Sequence, residues 1–131
     1  MKEFVCILCP NGCRLRAGFE KDGETFRVEG NSCPRGAAFA RTELTAPVRT
    51  LTTTVRAVGG ERPVLAVRTA GEIPRAKLME AMEAISRLTV CPPVRRGEVI
   101  VHNLLGAGID LIATDDLAAV LQGGLKDVTP L

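Results

Sequence analysis

Four of the five cysteines stand as Cys6-x2-Cys9-x3-Cys13 and, nineteen residues further on, Cys33. No other feature limits the fold of this chain so strongly. Three thiolates in so short a segment can surround one inorganic centre only if their loop curls tightly. A fourth joins them only if the intervening chain goes out and comes back. The intervening residues read as such an excursion. Arg14-Leu15-Arg16-Ala17-Gly18-Phe19 alternates as a strand does, Lys21-Asp22-Gly23 is a turn signal, and Thr25–Glu29 alternates back. Gly30-Asn31 turns the chain again and delivers Cys33 near Cys13. Pro34-Arg35-Gly36 then opens a short helix over Ala37–Glu43, stopped by Ala46-Pro47. Residues 1–45 are therefore expected to form a Cys-rich metal-binding hairpin unit, with too little core to stand without a metal staple.

The spacing bears on which metal. Zinc ribbons present two matched CxxC knuckles, each giving two ligands. Here three cysteines precede the hairpin and one follows, the division seen where one loop wraps three corners of a [4Fe–4S] cubane and a remote residue supplies the last. Pro10 and Pro34 follow Cys9 and Cys33 and stiffen the chain there, and Gly12 lets the backbone approach the sulfurs. The expected cofactor is a [4Fe–4S] cluster held by Cys6, Cys9, Cys13 and Cys33, with Zn²⁺ as the alternative. Cys91, between Val90 and Pro92-Pro93, reads as a buried, inert thiol.

Residues 46–131 carry no metal signal. Thr50–Val58 and Pro63–Thr69 read as strands around Gly59-Gly60, and Pro74–Arg87 as a helix with Leu78, Met82 and Ile85 on one stripe. Val99–Val101 and Ile109–Ala113 read as strands around Gly106-Ala107-Gly108. Asp115 and Asp116 read as the cap of a last helix, Leu117–Leu121, ended by Gly123-Gly124. The fold class expected is α+β: the hairpin unit, then a β-β-α-β-β antiparallel sheet under one main covering helix, serving as a docking or scaffold unit.

Composition narrows the function. Aromatic residues are 3% of the 131, with no Trp or Tyr, and the formal net charge is +2, so neither base-stacking platforms nor a nucleic-acid stripe is expected. No apolar run reaches a membrane span and no signal peptide is visible, so the chain reads as cytoplasmic, where clustered cysteines favour metal over disulfides. His102 is the sole histidine and reads as a strand-end or surface residue rather than a base. Gly106-Ala-Gly108 lacks the third glycine of a dinucleotide loop. Met79 and Met82 read as core.

Two resemblances add to this reading. Cys6-Ile-Leu-Cys9-Pro-Asn-Gly-Cys13-Arg-Leu, the Asp22-Gly23 turn and Gly30-Asn-Ser-Cys33-Pro-Arg-Gly36 resemble the amino-terminal [4Fe–4S] subdomain of molybdopterin oxidoreductases. That match covers residues 1–36 and brings no molybdenum chemistry, because the large cofactor domains have no counterpart here. The whole chain, through Pro47-Val-Arg49-Thr-Leu-Thr-Thr-Thr-Val55, Ile73-Pro74 and Pro93-Val-Arg-Arg-Gly97, resembles a small family of uncharacterised prokaryotic proteins with conserved CxxC pairs. Members are often encoded beside FAD-dependent oxidoreductases of the glycerol-3-phosphate dehydrogenase and NADH-oxidase type. The resemblance implies an iron–sulfur accessory subunit that passes electrons to or from a flavoprotein and has no activity alone. The alternative is a zinc-stapled protein-interaction module without redox activity. A thiol switch at Cys6 and Cys9 is the weakest of the readings, since Pro10-Asn11-Gly12 breaks the helix such sites open.

Overall fold

The computed structural model describes residues 1–106 and 108–120. The architecture is mixed α and β, with few helices and several sheets, and the chain divides into two compact units, Met1–Val48 and Arg49–Leu131.

In the first unit, β1 (Lys2–Val5), β2 (Arg14–Phe19) and β3 (Phe26–Glu29) form an antiparallel sheet in the order β1-β2-β3. The pleat sorts the side chains. Leu15 and Ala17 of β2 are buried while Arg14 and Arg16 are exposed, and Phe26 and Val28 of β3 face the same way as Leu15. The turn between β2 and β3 closes on Asp22, whose carboxylate accepts the Glu24 and Thr25 N–H groups and the Thr25 hydroxyl. These bonds, led by that from the Thr25 hydroxyl, hold the Asp22 carboxyl below its ordinary value. Helix α1 (Pro34–Thr45) lays Gly36 and Ala40, with Phe39 and Leu44, onto this face. Phe39 meets Phe4 edge-on at 5.9 Å between ring centroids. The helix begins earlier than the sequence pattern gives, because proline is tolerated in a first turn. It ends at Ala46, whose backbone has left the helical region, as the residue before Pro47 favours.

In the second unit, β4 (Thr52–Ala57) and β5 (Val64–Thr69) pair antiparallel, and Arg75–Lys77 forms a 3₁₀ turn before α2 (Leu78–Ser86). After β6 (Thr89–Val90), β7 (Val99–Val101) and β8 (Leu111–Ala113), the sheet order is β6-β4-β5-β8-β7. Ala81 and Ile85 of α2 pack on Val55, Ala57, Leu65, Val67, Leu111 and Ala113. Thr69, buried among them, is satisfied by the Leu51 N–H at 2.9 Å from its hydroxyl. Leu65→Ala, at a fully buried site, is expected to cost about 2–5 kcal/mol, read from the midpoint of denaturant unfolding.

Four expectations are corrected here. The sheet is not wholly antiparallel: β6 pairs parallel with β4, because the chain leaving β5 crosses on α2 and re-enters beside β4. Leu117–Val120 is extended rather than helical, and Leu117 exchanges two backbone hydrogen bonds with Val94. Leu121 and Gly123-Gly124 lie outside the described residues. Asp115 and Asp116 cap no helix there. Instead Arg62 donates to both, and the Arg96 N–H donates to the Asp116 carboxylate at 2.7 Å. Met79 and Met82 are 79% and 37% exposed rather than core, since Ala81 and Ile85 fill the seam against the sheet.

Candidate metal centre

Cys6, Cys9 and Cys13 sit on the loop joining β1 to β2. Val5 pairs with Arg14 at the end of the ladder, and the Cys6 N–H donates to the Cys13 carbonyl at 2.8 Å, extending the pairing one step. The two-residue period then places Cys6 with Phe4 and Cys13 with Leu15, on the face that α1 covers. Both cysteines join the apolar cluster of the first unit, and Cys6 is buried. Gly12, at φ +60°, turns the chain back into β2.

Cys33 arrives from the other side. Its backbone is extended at the N-cap of α1, and Pro34 follows in the first turn. Asn31 fixes the approach by donating its side-chain N–H to the Cys33 carbonyl at 3.1 Å. Gly36 lets the helix come close, since a Cβ there would stand 2.9 Å from the Asn31 Cβ. The N–H groups of Gly36 and Arg35, and then the Arg35 side chain, draw the Cys33 thiol below its ordinary value, because the amino end of a helix favours negative charge. In reduced, metal-free chain, alkylation of Cys33 should therefore persist to lower pH than for an ordinary thiol. Arg35→Ala should move that profile upward, as read by mass spectrometry of iodoacetamide-treated protein.

The two approaches meet in one cavity. About 120 Å³ in volume, it is lined by Cys6, Cys9, Cys13 and Cys33 together with Leu8, Asn11, Ser32, Arg35 and Gly36. Cys13 Sγ and Ser32 Oγ lie 3.3 Å apart across it. Among the described residues, no three His, Cys, Asp or Glu side chains converge tightly enough to grip one ion. The four thiols line one shared space. Ser32, Asn31 and Arg35 are partners that the spacing of the cysteines did not single out. Their only signal was their place between Gly30 and Gly36.

Other residues weighed in the sequence lie elsewhere. Cys91 is exposed, which corrects the expectation of a buried thiol: its neighbours Val90 and Val94 turn inward and leave it outward. The His102 side chain is 82% exposed, 3.7 Å from Asp110.

A protein-family model described as "Protein of unknown function (DUF1667)" matches residues 34–115. The chain belongs to the DUF1667 family. The match begins one residue after Cys33, so the four clustered cysteines lie outside it. An NMR structure of a Clostridium perfringens protein, CPE0013, is similar at 25% identity and a TM-score of 0.51, covering 57% of this chain and 87% of its own. No curated protein matches. No helix among the described residues is long and apolar enough to cross a membrane.

Proposed function

We propose that Cys6, Cys9, Cys13 and Cys33 hold a [4Fe–4S] cluster, and that this DUF1667 chain is an electron-transfer accessory subunit of a flavin-dependent oxidoreductase. The carrying observation is that all four thiols line one cavity of about 120 Å³. A single water-sized species needs only ~10–15 Å³, so the space suits a polyatomic group better than one ion. Four soft thiolates, with no carboxylate or imidazole among the lining residues, match iron–sulfur ligation.

When bound, such a cluster supplies one-electron transfer. The chain's own residues set the conditions. Cys6, which lines the cavity, is buried in the same apolar cluster as Leu15, which limits water on that side. The first turn of α1 points N–H groups at the Cys33 sulfur, and Arg35 brings positive charge to the cavity wall. Each favours the more reduced, more negative state and so raises the potential. The flavoprotein partner follows from the resemblance to proteins encoded beside FAD-dependent oxidoreductases. It also fits a chain whose lone histidine, His102, belongs to the other unit.

Anaerobically reconstituted chain should be brown, carry about four irons and four sulfides, and lose its broad visible absorption on adding dithionite. A colourless chain with one tightly held zinc per molecule would refute this reading in favour of the zinc-stapled interaction module.

A further inference from the structure

The loop that carries three of the cysteines also carries an exposed aliphatic surface. Val5, Ile7 and Leu8 are 50%, 58% and 47% exposed. The strand pleat explains Val5: with Phe4 and Cys6 turned toward α1, Val5 must face outward, opposite Arg14. Ile7 and Leu8 stand between two of the candidate ligands, Cys6 and Cys9. Single exposed aliphatics need no explanation, but three grouped around one buried cysteine form a patch.

Among the described residues, two arginines without carboxylate partners border the patch. Arg14 lies beside Val5 in the ladder, and Arg35 lies on the cavity wall. Elsewhere on the same sheet the arginines have carboxylate partners: Arg16 with Glu3 at 3.3 Å and Arg27 with Glu20 at 2.7 Å. Among the described residues, Arg14 and Arg35 have none. A surface of exposed aliphatics flanked by uncompensated guanidinium groups is complementary to an apolar surface edged with carboxylates.

We infer that the Val5–Leu8 loop tip, with Arg14 and Arg35, is the docking surface for a redox-partner protein whose own docking face is apolar and rimmed by Asp and Glu. This rests on the electron-transfer reading and names the partner chemistry of that site. Leu8 lines the cysteine cavity and Val5 and Ile7 belong to the same loop, so a partner seated on the loop tip is brought near the centre. A cluster held by Cys6, Cys9, Cys13 and Cys33 would supply one electron and the partner's acceptor would take it up, with no bond or proton transferred.

The test uses two small acceptors of opposite charge, both strong enough oxidants to accept the electron: plant plastocyanin, which is acidic, and cytochrome c, which is basic. The iron-loaded full chain, reduced with dithionite and desalted anaerobically, is mixed with each by stopped flow. Plastocyanin reduction should slow about tenfold between low and roughly 0.3 M salt, while cytochrome c reduction should not slow. Ile7→Ser and Arg14→Glu, neither of which lines the cavity, should each slow plastocyanin reduction by about fivefold or more while leaving the reaction with p-benzoquinone, a small neutral oxidant, unchanged. Rates insensitive to salt and alike for both proteins, or variants indistinguishable from the parent, would overturn the docking proposal alone. Ile7-dependent sedimentation with phosphatidylserine–phosphatidylcholine vesicles would replace it with a membrane surface. A chain that holds zinc and does not bleach would overturn the electron-transfer reading and this proposal with it.

Discussion

Cys33→Ser should strip the anaerobically loaded chain of most of its metal, from about four irons per molecule to below about one, with loss of the visible absorption. Cys91→Ser should leave both unchanged. The contrast follows from position. Cys33 is the ligand that comes from outside the β1–β2 loop, and it lines the cavity with the other three. Cys91 is exposed and belongs to the other unit. Serine keeps the size of the side chain but gives up the soft sulfur that iron selects. Circular dichroism of the metal-free forms separates a lost ligand from a lost fold. A Cys33→Ser chain that kept its full iron and sulfide complement would remove Cys33 from the ligand set.

The second large effect is expected at Gly30, which shows no chemistry in the sequence. Its φ is +90°, and a Cβ added there would lie 2.1 Å from the Arg14 carbonyl oxygen. Gly30 follows the last residue of β3, where the chain leaves the sheet and passes close to the β2 backbone on its way to Cys33. The obstacle is backbone, so it cannot swing aside as a flexible side chain would. Gly30→Ala should therefore cost the first unit about 2–4 kcal/mol, read from hydrogen exchange of the β2 and β3 amides. It should also lower iron retention, because the segment that positions Cys33 must shift. Gly23→Ala is the matched control. Its φ is +75°, but a Cβ there meets nothing within 4 Å, so only the conformational cost of about 1–2 kcal/mol is expected. Equal losses at the two sites would show that the crowding against Arg14 is relieved at no cost.

Several elements were legible in the sequence because a period and a stop signal agreed. Arg14–Phe19 alternates cleanly and is β2. The Asp22-Gly23 turn has a carboxylate to accept three donors and a glycine at φ +75°. The helix after Pro34 was readable from its start and stop signals, and the helix before Leu88 from its apolar stripe. The failures have physical causes too. β1 spans four residues and carries no periodic pattern of its own, and only pairing with β2 defines it. Leu117–Val120 is a short apolar run that can be helix or strand, and Val94 decides it through backbone hydrogen bonds that no local pattern announces. The parallel placement of β6 is a matter of where α2 returns the chain, which two residues cannot encode. At the cavity, the cysteines were legible from spacing alone. The parts played by Asn31, Gly30 and Gly36 depend on distances between backbones that meet only after folding.

One consequence of this layout concerns the order of events as the unit is made. Three sulfurs belong to a single short loop, whose closure demands little entropy and no partner element. The fourth stands behind a whole hairpin and arrives only when β2 and β3 have zipped together and α1 has started. Under the proposed loading, the nascent chain can catch metal early on the trio and lock it late with residue 33. Until that last step the bound metal stays open to exchange with whatever donor delivered it.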